Sequence, residues 1–172
     1  MNSIPITELT LFIGPINIDT SSLGVKEDLQ EYCVQIEATA LEDLLGESLY
    51  TEYLEGSTEP RFTELINGKT DIFTYNDKKM KYTGLKDKFC YLIYNKYLQD
   101  QFASNTPFGD VAPTPSNGSY QVNEPRIVNA YNKWVDAFNK AVDYIRYRNS
   151  IDSTIFEGFT TAKLQHFNTF GI

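Results

Sequence analysis

The sequence is short of the side chains from which most active centres are built. Its 172 residues include one histidine, His166, and two cysteines, Cys33 and Cys90. A Ser or Cys triad, or a histidine-rich zinc site, would have to be assembled around His166. Nothing beside it resembles a nucleophile elbow, and it stands in a terminal tail, so no catalytic residue is assigned and no enzyme is expected. The cysteines both fall inside helix-like patterns and read as buried free thiols of a chain made in a reducing cytosol. A chain of this length buries roughly 70% of its unfolded surface, enough to fold without a disulfide or a metal. There is no Walker pattern and no GxGxxG turn, so no phosphate cradle is expected. Asp19 and Gly24 imitate positions one and six of a calcium loop. Leu23 stands where an oxygen ligand is needed, however, and Gln30 where a bidentate glutamate is required. The acidic pairs Glu27/Asp28 and Glu42/Asp43 fall on helix surfaces, with no sign of the cleft that glycoside hydrolysis needs. No metal or cofactor is expected.

Long apolar runs are absent as well. No stretch approaches the ~18 residues of a membrane span, and "MNSIPITELTLFIGPINID" lacks the basic start and apolar centre of a signal peptide. The chain is expected to be made as a soluble protein, with no membrane partner. The sequon at 117–119 then carries no weight. Positive charge is scarce too: 15 Lys and Arg face 23 Asp and Glu, for a net charge of −8. Wrapping nucleic acid is therefore excluded as the main task, because phosphate binding is driven by cations.

What remains is a globular, aromatic composition: 41% hydrophobic and 14% aromatic, with twelve tyrosines against one tryptophan. Tyrosine buries a ring and keeps a wet hydroxyl, which suits core rims and interfaces alike. The expected fold is mainly α, a bundle of about four helices with a small β-hairpin, a long loop and extended arms. Residues 1–24 read as an arm, with Ile4, Ile6, Leu9, Leu11 and Ile13 among Pro5, Pro15 and Gly24. Helical spacing begins near Val25 with Leu29, Cys33, Ile36 and Ala40. "TALE" at 39–42 reads as a capping box that opens a second helix over 40–55, stopped by Gly56. A short helix over 57–68 has Pro60 at its first position and Gly68 at its end. A hairpin over about 70–83 turns at "NDKK" and carries Ile72, Phe73, Tyr75, Met80 and Tyr82. Two long helices follow, Leu85–Phe102 with Thr83 as cap and 124–149 with Asn123 as cap. They complete a helical domain over 25–150. A tail over 151–172 bears Phe156, Phe159, Phe167 and Phe170, and is held by its own core or by a partner.

Two features point to interaction. Lys78, Lys79 and Lys81, with Lys86 and Lys88, form the densest basic cluster: a solvated hairpin face, a contact for DNA phosphates, or a partner for carboxylates of another subunit. Between the two longest helices lies "FASNTPFGDVAPTPSNGSYQ". Loops beyond about 12–15 residues are uncommon and are often functional. Phe108, Val111, Tyr120 and Val122 are spaced through the stretch 103–122 as anchors, as in an arm or extended β-loop that orders against another protein; the alternative is a mobile surface loop.

The segments "LEDLLGESLYTEYLEG", "TGLKDKFCYLIYNKYL", "ASNTPFGDV", "EPRIVNAYNKWVDAFNKAVDYI" and the ending "NTFGI" resemble, in that order, head–tail connector (adaptor) proteins of tailed bacteriophages. They look most like those from phages of gut Bacteroidetes, including crAss-like phages. The resemblance spans about 25–172; the first 24 residues have no clear counterpart. It implies a small helical bundle with a hairpin or long loop. Copies would form a ring, commonly of twelve, beneath the portal protein, extend the DNA channel and receive the next neck or tail protein. It carries no catalytic residue. DNA would pass without sequence readout, and the mature location would be the virion neck. Another virion interaction module, a head-completion or tail-tube component, is the alternative. The interface residues expected on this reading are Phe108, Val111, Tyr120, Val122, Lys78, Lys79, Lys81, Phe167, Phe170 and Ile172.

Overall fold

The computed structural model describes residues 23–69, 71–102, 105–106, 109–110 and 124–167. The expected arm over 1–24, most of the 103–122 stretch and the last five residues lie outside them, apart from Leu23 and Gly24. The described chain is mainly helical, with four helices and a small antiparallel hairpin. Helix α1 runs Leu23–Gly56, α2 Pro60–Asn67, α3 Phe89–Phe102 and α4 Glu124–Ile151. Strands β1 (Ile72–Tyr75) and β2 (Lys78–Lys81) form the hairpin. A minimal ladder of β3 (Asn105–Thr106) and β4 (Gly109–Asp110) sits within the stretch expected as a loop.

The two helices expected from "TALE" are real, but they part at a different residue. The Thr39 hydroxyl donates to the Gln35 carbonyl one turn back, at 3.1 Å, so Thr39 is a helix-interior residue and caps nothing. The rod breaks at Gly46, with φ 76° and ψ 163°, a backbone region open almost only to glycine. A Pro at the start of α2 and Gly68 after its end match expectation; Gly68 takes φ 87° and its N–H donates to the Glu64 carbonyl.

Gly68 meets Gly84 backbone to backbone. Both have positive φ, and a methyl on Gly68 would come within 2.5 Å of the Thr83 carbonyl carbon. A methyl on Gly84 would overlap the Ile66 oxygen and the Gly68 nitrogen. This crossing explains why α3 starts later than Leu85. The N–H groups of Leu85 and Lys86, which Thr83 would have capped, both donate to the Ile66 carbonyl at 2.9 Å. Residues 85–88 form a turn, and the helix proper opens at Phe89.

The hairpin turns at Asn76 and Asp77, both with positive φ (48° and 60°), the geometry that matches the twist of the flanking strands. Its inner face is aromatic. Phe73 stacks on Tyr147 of α4 at 4.3 Å, and just beyond β2 Tyr82 stacks on Tyr144 at 4.3 Å. The Tyr82 hydroxyl donates to the Leu65 carbonyl, at 2.6 Å. The core joins Leu44, Leu49, Phe62, Leu65, Phe89, Ile93, Phe138, Tyr144 and Ile145, all nearly inaccessible. Cys33 and Cys90 are buried free thiols within it, as their helical spacing implied. No described helix is long and apolar enough to cross a membrane.

Candidate interaction surfaces

Alternation along the hairpin sorts its side chains into two faces. Phe73 and its partner Met80 turn toward α4. Ile72 pairs with Lys81 and Thr74 with Lys79, and all four of these are exposed. Ile72 is 69% accessible, the highest among the exposed large apolar side chains described. Of the three lysines singled out from the sequence, Lys79 and Lys81 therefore flank an exposed apolar residue. Lys78 lies at the turn opposite Tyr75 on the other face. No ion pair among the described residues engages any of the three.

Helix α1 has the opposite character. From Gln30 to Gly56 it carries Glu31, Glu37, Glu42, Asp43, Glu47, Glu52 and Glu55, and no Lys or Arg. After the Gly46 break, Glu47, Thr51, Leu54 and Glu55 fall on one stripe at helical spacing, and all four are exposed. Leu54 is 56% accessible. Glu52 is spent inside the molecule: it accepts from Arg61 at 2.9 Å. The same guanidinium donates to Glu59 and to the Ile155 carbonyl, and covers the Phe62 ring at 4.5 Å. Arg61 thereby ties α1, α2 and the tail together.

The tail is held by its own bundle. Phe156 is fully buried, and residues 159–167 lie along α4. Three asparagines of that helix each grip one tail residue by both backbone groups. Asn149 accepts from the Phe156 N–H and donates to its carbonyl. Asn139 does the same for Leu164 at 2.8 and 3.0 Å, and Asn132 for Phe167 at 2.9 Å each way. The match is metric: seven helical residues from 132 to 139 rise about 10.5 Å, and three extended residues from 164 to 167 span about 10 Å. Lys163 pairs with Asp143 at 2.7 Å, Thr161 donates to the Leu44 carbonyl, and His166 lies 2.9 Å from Asp136. The lone histidine thus pins a strap on the outside of the bundle. Phe167 rests on Tyr131 with ring centres 4.6 Å apart, yet stays 60% accessible. Phe108, Val111, Tyr120, Val122, Phe170 and Ile172 lie outside the described residues.

Two hollows remain. A furrow of about 680 Å³ runs between α1, α3, α4 and the strap, floored by Ile36, Leu92, Trp134 and Phe138. Buried Asn95 on its wall donates to the Ile127 carbonyl and accepts from Gln99. A smaller one of about 220 Å³ is edged by Lys88, Lys133, Lys140 and Asp136, with Lys133 over the Tyr91 ring at 5.0 Å. Among the described residues no cluster of His, Cys, Asp and Glu could hold a metal ion. Burial, reinforced by Glu37, pushes the Cys33 thiol up to about 12, and burial pushes Cys90 up to about 11. Neither is a nucleophile at neutral pH. Burial likewise raises the Tyr82 and Tyr144 hydroxyls, and Tyr144 donates to Glu64, which also holds Arg148 at 2.6 Å.

Sequence reasoning missed Ile72 as a surface residue, the Leu54 stripe and the asparagine row. Ile72 was legible only as a strand residue, because alternation does not say which face meets the core. The asparagines carried a weak signal, a polar stripe along an otherwise well-packed helix. Comparison of the chain with protein-family models, curated proteins and solved structures finds no match in any of the three.

Proposed function

We propose that this chain is a structural subunit of a tailed-phage neck, one copy in a ring that joins the portal to the tail and extends the DNA channel. The reading is carried by where its sequence resemblance falls. "LEDLLGESLYTEYLEG" covers the part of α1 that bends at Gly46. "TGLKDKFCYLIYNKYL" covers the Gly84 crossing and most of α3, and "EPRIVNAYNKWVDAFNKAVDYI" covers α4 from Glu124 to Ile145. These are the rods whose mutual packing gives the molecule its stiffness, and a ring subunit needs a stiff body. Further support comes from the separation of charge, with an acidic α1 and a basic hairpin on one chain. Such a chain can meet a copy of itself head to tail, the contact type that closes rings. Acidic surfaces lining a channel would also let DNA slide, since its phosphates find few cations there.

The test is assembly with the portal protein of the same virus, followed by native mass measurement and negative-stain imaging. A closed ring stacked on the portal is expected. A stable but unclosed complex would favour the head-completion or tail-tube reading, and no complex at micromolar concentration would sink the proposal. Deleting 106–120 is expected to preserve helical content and abolish the ring.

A further inference from the structure

Resting on the ring reading, we infer which faces of the subunit meet: the outer hairpin face of Ile72, Lys79 and Lys81 docks on the α1 stripe of Glu47, Leu54 and Glu55 in a second copy. Each patch carries one exposed large apolar side chain, Ile72 at 69% and Leu54 at 56% accessible. Each patch also carries two exposed charges, of opposite sign in the two patches. Among the described residues, none of these four charged side chains has an ion-pair partner within its own chain. Their neighbours behave differently: Glu52 is consumed by Arg61, and Glu64 by Arg148 and Lys69. An apolar pair enclosed by charged side chains is the arrangement that excludes water from a contact centre. Opposite charges around it set the orientation and speed the encounter. Because the two patches differ, a pairing between them leaves a free hairpin patch on one subunit and a free α1 stripe on the other. That makes the contact heterologous and capable of running round a ring.

A second copy fits these patches better than DNA does. Lys79 and Lys81 could meet phosphates, but DNA offers nothing for the exposed Ile72 and has no use for the Glu47–Glu55 stripe. A copy of the chain uses both patches at once.

The experiment applies a zero-length carbodiimide crosslinker to the complete chain assembled on its portal, with peptides identified by mass spectrometry. Charge reversal accompanies it. Intermolecular links from Lys79 or Lys81 to Glu47 or Glu55 are expected. Lys79→Glu with Lys81→Glu should weaken assembly roughly tenfold or more, as should Glu47→Lys with Glu55→Lys, each with unchanged thermal unfolding of the monomer. Mixing all four reversals in one chain should restore assembly to within about threefold of the parent, since the attraction is only inverted. Rings that form normally with either reversed pair would overturn this pairing while leaving the ring reading intact. Links from the hairpin lysines to portal carboxylates in place of Glu47 or Glu55 would do the same, as would failure of the four-fold reversal to restore assembly. A parent chain that forms no ring at all would overturn both.

Discussion

At the scale of single residues, glycines with the same φ do different work. Gly84 and Gly158 have φ 79° and 77°, but only Gly84 has backbone pressed against its α-carbon; around Gly158 a methyl would meet nothing within 4 Å. Gly158→Ala is expected to cost about 1–2 kcal/mol, the penalty of left-handed backbone alone. At Gly84 the same change adds overlap worth about 1–3 kcal/mol more. Urea denaturation of the two variants compares them directly, and equal losses would mean that the Gly68–Gly84 crossing is not close. The thiols and buried phenols set the response to alkali. Their folded values lie above their ordinary ones, so the folded state holds these protons more tightly than the unfolded chain does. The thiols' contribution to stability is thus full below pH 9.0, their ordinary value, and is lost as pH climbs toward about 11 and 12. The urea midpoint should fall between pH 7 and about 10.5, and fall less in a Cys33→Ala, Cys90→Ala variant. Burial of these thiols was legible in the sequence because both sit on the apolar spacing of their helices. The role of Gly84 was not, because its constraint comes from a residue sixteen positions away.

At the scale of elements, α1 shows how a local signal can be present and still lose. "TALE" has the side chains of a capping box, but Thr39 back-bonds within a continuous helix, and the break goes to Gly46, where no β-carbon opposes it. The tail shows the reverse, a segment with little pattern of its own that tertiary contacts hold straight. Replacing Asn139 by Ala removes both bonds to Leu164, each worth about 1 kcal/mol. The strap over 159–167 should then be cleaved faster in limited proteolysis, and the urea midpoint should fall by the equivalent of at most about 2 kcal/mol, because Phe156 stays anchored through Asn149. Asn139→Asp should fall between, keeping the acceptor for the Leu164 N–H but setting a carboxylate against its carbonyl. Unchanged cleavage in Asn139→Ala would mean that the clamp does not hold the strap. Arg61 is the corresponding tie on the other side of the bundle. Arg61→Lys keeps the charge but loses the planar fork that reaches Glu52, Glu59 and the Ile155 carbonyl together, and should cost about 1–2 kcal/mol of stability in thermal unfolding.

At the scale of the whole molecule, charge is sorted between elements: an α1 that from Gln30 to Gly56 is acidic and carries no Lys or Arg, and a hairpin whose outer face is basic. If those faces join copies, assembly is expected to weaken as salt rises from 0.05 to 0.5 M, because exposed charge pairs are screened over about 10 Å or less. Native mass measurement across that range checks it, and salt-independent rings would point to an apolar contact elsewhere. The linear chain was enough to determine the helical class, the hairpin, and Pro60 and Gly68 at the ends of α2. All of these follow from periods and steric preferences that act within a few residues. Folding decided the rest: the break at Gly46 in place of Thr39, the late start of α3, the asparagine-held strap, and the outward turn of Ile72 and Leu54. Apart from the Gly46 break, which uses glycine's own backbone freedom, each of these depends on which distant backbone or side chain arrives alongside, and sequence spacing carries no information about that.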